Sequence, residues 1–91
     1  MPPDISAKVA ADFTETERRE VTEILLLLVE EMGDPELYRI TRCVLYLSQG
    51  RMEHLVHYAD QARMDSRNVI FWAEYESDIR LRDFNEPFPQ V

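Results

Sequence analysis

Val21, Leu25, Leu28 and Met32 recur at spacings of four, three and four, and no glycine or proline interrupts the chain from Thr14 to Met32. That period puts one apolar stripe along a helix over roughly residues 14 to 32. Thr14 stands three positions before Glu17, the arrangement of a capping box in which the hydroxyl and the carboxylate each satisfy a backbone N–H of the other. Gly33 suits the left-handed position just past a helix end, and Asp34-Pro35 then reads as N-cap and first residue of the next helix. A second helix over roughly 35 to 48 gathers Leu37, Ile40, Val44 and Leu47 on one side, and Ser48-Gln49-Gly50 ends it. A third, from about 51 to 64, lines up Met52, Leu55, Val56, Ala59 and Ala62. Asp65 or Ser66 caps a fourth over about 66 to 76 that carries Val69, Ile70, Phe71, Trp72, Ala73 and Tyr75.

Outside these four the pattern weakens. Residues 4 to 12 suggest a short leading helix capped by Asp4 or Ser6. Beyond Asp78 the stretch with Pro87 and Pro89 has no period and reads as an extended tail, residues 79 to 91. Helices joined by short turns pack on their neighbours, so the expectation is an all-α fold: a small bundle of four main helices forming a single domain over residues 1 to 78. The aromatic-rich fourth helix is expected at the centre of that bundle, since so small a core needs large side chains.

Charge adds a direction to this picture. The 91 residues hold 18 Asp and Glu against 10 Lys and Arg, a net charge of −8. Ten of the acids fall within residues 1 to 36, opposed there by Lys8, Arg18 and Arg19 alone. Such a field repels phosphate backbones and anionic lipid and steers a basic partner toward the first long helix. The longest apolar run, Ile24 to Val29, is far too short to span a bilayer, and Met1 to Lys8 lacks the basic and apolar regions of a secretion signal. Cys43 is the sole cysteine, so no disulfide can form within the chain and a reducing, cytoplasmic location is expected. Arginine outnumbers lysine nine to one, a balance familiar from GC-rich bacterial coding sequences.

Several outward-facing groups are candidates for contact. Leu26 and Leu27 fall on the far side of the first long helix beside Glu23 and Glu30, where water alone is a poor neighbour; the C-terminal tail with Phe84 and Phe88, or a second copy of the chain, would cover them. On the second helix Arg39, Arg42 and Tyr46 lie opposite the core stripe and form a cationic, aromatic face able to hold a carboxylate or phosphate, with Arg42 against the Tyr46 ring, or to pair with the acidic first long helix of a neighbouring chain. Phe71 and Tyr75 fall outside the best stripe of the fourth helix. His54 and His57 share one turn and are the only metal-ligand pair of note, but nothing in the pattern supplies a third and fourth ligand, so neither a metal nor a cofactor is expected. Cys43 should pack as a small hydrophobe at the core edge rather than act as a nucleophile.

No phosphate loop, nucleophile elbow, zinc-protease motif or calcium loop occurs, and two glycines cannot build a dinucleotide fingerprint, so no enzymatic activity is expected. The short turn at Gly50 invites a helix-turn-helix reading, with Arg51, His54, His57 and Gln61 toward bases. Glu53, Asp60 and the overall charge oppose it, and no nucleic acid or membrane partner is expected. The leading expectation is a protein-interaction module that self-associates through Leu26, Leu27, Phe71 and Tyr75 with Arg39, Arg42 and Tyr46. The alternative is an acidic inhibitor or regulator of a basic partner.

Overall fold

A computed structural model of the protein describes residues 1–33 and 37–89. The Asp34-Pro35 cap expected between the first two long helices lies outside them, as does the side chain of Leu37. Among the described residues the chain forms α1 (Pro3–Asp12), α2 (Glu15–Met32), α3 (Leu37–Ser48), α4 (Met52–Met64) and α5 (Ser66–Glu74), then β1 (Tyr75–Glu76) and β2 (Ile79–Arg80). The fold is the small all-α bundle that the periodicity predicts, with the leading helix formed.

Local chemistry sets most of these boundaries. The Thr14 N–H donates to the Glu17 carboxylate at 3.1 Å, closing the capping box at the start of α2. Gly33 ends the helix at φ 58°, and its N–H donates to the Val29 carbonyl. Asp65, rather than Ser66, caps α5 by accepting from the Arg67 N–H at 3.1 Å. At α1 the cap is neither Asp4 nor Ser6. Pro2 holds that position with Pro3 in the first turn, where a missing N–H costs nothing, and Asp4 is free for another role.

The last helix stops two residues earlier than its apolar pattern suggests. Ser77 and Asp78 both take left-handed φ, 50° and 67°, and turn the chain into a two-residue hairpin pairing Tyr75 with Arg80 and Glu76 with Ile79. Positive φ at both central residues is the signature of a type I′ turn, whose twist matches that of the paired strands. Ser-Asp carries no glycine, so composition did not announce it.

The core gathers Ile5 and Val9 of α1, Val21, Leu25 and Leu28 of α2, Leu55, Ala59 and Ala62 of α4, and Val69 and Ala73 of α5 around α3. Every side chain from Ile40 to Leu45 is buried, so α3 and not α5 is the central helix. A helix enclosed on all sides has no solvent face for a polar stripe, and its arginines must find partners inside. The aromatic residues of α5 lie outside instead, with Phe71 and Trp72 at 46% and 44% exposure. Val56, counted with the α4 stripe, also faces out, because at 3.6 residues per turn it sits at the margin of the arc that Leu55 and Ala59 centre.

Gly50 is required twice over. Its φ of 75° favours glycine, and a Cβ there would meet the Asp12 carbonyl oxygen at 2.8 Å. The α3–α4 turn therefore rests directly on the end of α1. From β2 the chain returns over the molecule, burying Phe84 in the core and packing Phe88 against its edge. The tail is thus a strap across α3.

Candidate functional site

The largest concentration of chemistry lies beneath that strap. Glu74, at the end of α5, is 0% exposed. Arg39 grips its carboxylate from two nitrogens, at 2.9 and 2.7 Å, and Arg80 of the hairpin approaches the same group at 3.1 Å. The Phe84 N–H donates to it at 3.0 Å, while the Glu74 carbonyl accepts from the Leu81 N–H at 2.8 Å. Burial alone would raise this carboxyl, but the Arg39 hydrogen bonds, the Phe84 N–H and the charges of Arg39 and Arg80 outweigh it and hold it below the usual range.

A second pair lies at the other end of the strap. Arg42 donates to Asp4 at 2.8 and 3.2 Å and to the Phe84 carbonyl at 3.3 Å, and the Phe88 N–H donates to Asp4 at 3.1 Å. The Arg42 hydrogen bonds dominate the downward displacement of the Asp4 carboxyl, against an opposing contribution from burial. Between the pairs, Arg82 lies over the Tyr46 ring with 4.7 Å between its guanidinium carbon and the ring centroid, and donates to the Ala73 carbonyl at 2.7 Å. Tyr46 in turn meets Phe84 at 5.2 Å between ring centres.

These contacts correct the outward placement of Arg39, Arg42 and Tyr46. The three do form a cationic, aromatic face that holds carboxylates, but the carboxylates are the chain's own Glu74 and Asp4. Arg82, not Arg42, covers the Tyr46 ring. The sequence marked the cations but not their partners, because Asp4 looked like a helix cap and Glu74 like one acid among 18. Among the described residues no buried side-chain nitrogen or oxygen lacks a hydrogen-bond partner. A network this complete orders the backbone around α3 and the strap.

The remaining candidates separate. Leu26 and Leu27 are 46% and 49% exposed, and the strap passes over another part of the molecule. Phe71 and Tyr75 stack at 5.1 Å between centres, nearly parallel, beside a shallow hollow of about 450 Å³ that Arg39, Arg67 and Ile70 complete. Trp72 sets its edge against Tyr58 of α4 at 6.2 Å. His57 is exposed and packs on Tyr58 at 5.0 Å, His54 is half-buried, and no third His, Cys, Asp or Glu among the described residues groups with them as a metal set. Cys43 lies within the core, deeper than its expected place at the edge. Burial, aided by the negative charge of Glu74, pushes its thiol up to about 12, so it stays protonated and unreactive.

Fold and site together define a class, a small acidic helical bundle strapped by its own C-terminal segment. No protein-family model matches the chain, and no curated protein or solved structure shows significant similarity to it. No helix of the described residues is long and apolar enough to cross a membrane.

Proposed function

We propose that this protein is a protein-interaction module that self-associates through the outer face of α5. One observation carries the reading: Phe71 and Trp72, neighbours on a single helix, stand nearly half exposed while the strap and core are closed. Large aromatic side chains left in water are the usual anchors of protein interfaces. Their surroundings favour a second copy of the chain. Residues 66 to 73 contain no carboxylate, so this is a face on which two chains of net charge −8 can approach. An α5-to-α5 pair about a two-fold axis places each Phe71–Tyr75 stack against its mate and repeats every contact.

Leu26 and Leu27 serve a two-fold pair less well, because α2 against α2 would bring Glu23 and Glu30 of one chain onto those of the other. Arg42 and Tyr46 are engaged within the monomer and contribute by rigidity, while Arg39, which holds Glu74, also borders the hollow beside Phe71 and Tyr75.

Light scattering on a size-exclusion column gives the test. The protein should run as a dimer at about 100 μM, and added salt should strengthen the dimer by screening the net charge. Phe71→Glu together with Trp72→Glu should give a folded monomer. A wild-type monomer at both low and moderate salt overturns the reading, as does a variant that still dimerises.

A further inference from the structure

We propose that the exposed surface shared by α2 and α4, around Leu27 and Val56, is a docking surface for a basic amphipathic helix of a partner protein. The inference rests on the reading of the chain as an interaction module, but uses a face distinct from α5. α2 packs against α4. An ion pair between Glu31 and Arg63 joins their C-terminal ends. Leu27 lies one turn before Glu31, and Val56 two turns before Arg63, so each apolar side chain shares the side of its helix that carries one end of the bridge. They are 49% and 43% exposed, and Ile24, about one turn before Leu27 on α2, is half-buried against the core.

Charge identifies the occupant. Around these apolar residues stand Glu20, Glu23, Glu30, Glu31, Glu53 and Asp60, while Arg19, Arg51 and Arg63 are already paired with Glu23, Glu53 and both Glu31 and Asp60. Among the described residues no cation pairs with Glu20 or Glu30. Six carboxylates against three guanidinium groups leave the rim negative by three. A second copy of this acidic chain and a nucleic acid are both repelled. A helix with apolar residues three and four apart and lysines or arginines on either flank satisfies apolar centre and charged rim together, in the manner of helix-in-groove recognition. Leu26, on the opposite shoulder of Glu30 and Glu23, extends the apolar contact for a ligand wide enough to straddle α2.

The probe is a synthetic peptide of leucine and lysine at helical spacing, with a peptide of the same pattern carrying glutamate for lysine as control. Fluorescence anisotropy should show binding of the lysine peptide alone, weakening as salt is raised. Leu27→Gln with Val56→Gln should cost about tenfold or more in affinity while circular dichroism stays unchanged. Glu20→Gln with Glu30→Gln should weaken binding and flatten its salt dependence. The Phe71→Glu, Trp72→Glu variant should bind the peptide as wild type does, which separates this surface from the α5 pair. Equal binding of both peptides, no binding of the lysine peptide, or binding indifferent to Leu27 and Val56 overturns the proposal.

Discussion

Glu74 and Arg39, 35 positions apart, meet through two hydrogen bonds of 2.7 and 2.9 Å around a carboxylate with no exposure to solvent. The same carboxylate accepts from the Phe84 N–H, so one side chain joins the central helix, the last helix and the C-terminal strap. Charges removed from water this completely stabilise a fold only when every lone pair is engaged, and removing one partner leaves the others buried without a counter-charge.

Glu74→Gln should therefore destabilise the protein by about 3 kcal/mol, the low end for a broken buried pair, because Arg80 keeps contact with water. Urea unfolding would measure the loss. Trypsin should also cleave after Arg80 and Arg82 more readily in the variant, since the strap loses its anchor; an unchanged digestion pattern would show that Phe84 alone holds it.

Acid should weaken the fold in a defined direction. Asp4 and Glu74 both have carboxyls held below their ordinary range, so they bind protons less readily in the folded chain than in the unfolded one. Their contribution is fully present above the unfolded carboxylate range, near ~4, and is lost as pH falls through their folded values. The urea midpoint should accordingly drop progressively as pH falls below about 5. In Asp4→Asn the drop should be shallower, because one of the responding groups is gone.

Two glycines offer a controlled comparison. Gly33→Ala places a Cβ in open space, and its cost should be only that of a left-handed alanine, about 1 kcal/mol. Gly50→Ala carries the same conformational cost and also drives the Cβ toward the Asp12 carbonyl oxygen, which belongs to backbone and has little room to yield. Thermal unfolding should show the second substitution to be clearly worse, by roughly another 1–2 kcal/mol.

Cys43 reports on opening of the core. With its thiol pushed up to about 12 and no exposure, it should react with an aromatic disulfide reagent only when the chain unfolds. The labelling rate should track urea-dependent opening, and rapid labelling in native buffer would contradict its placement.

The hairpin can be improved. Ser77 and Asp78 both occupy left-handed conformations, which asparagine at the first position and glycine at the second adopt more readily. Ser77→Asn with Asp78→Gly should raise stability by about 1 kcal/mol, visible as a higher melting temperature.

What the sequence by itself determined is the helical order and most of its punctuation: the Thr14 box, the Gly33 stop, a cap at Asp65 or Ser66 and the buried stripe of Val21, Leu25 and Leu28. These depend on residues within a turn or two of one another, and a linear pattern records them. The tertiary structure alone decided what covers each face. A helical wheel gives the angle at which Arg39, Arg42 and Tyr46 leave α3, but not that α1, α5 and the strap converge there. The pairs that close that face, Arg39 with Glu74 and Arg42 with Asp4, span 35 and 38 positions, and the strap that completes them has no period to announce it. The same geometry left Phe71 and Trp72 in solvent, because a central α3 takes up the volume that a core-centred α5 would have filled.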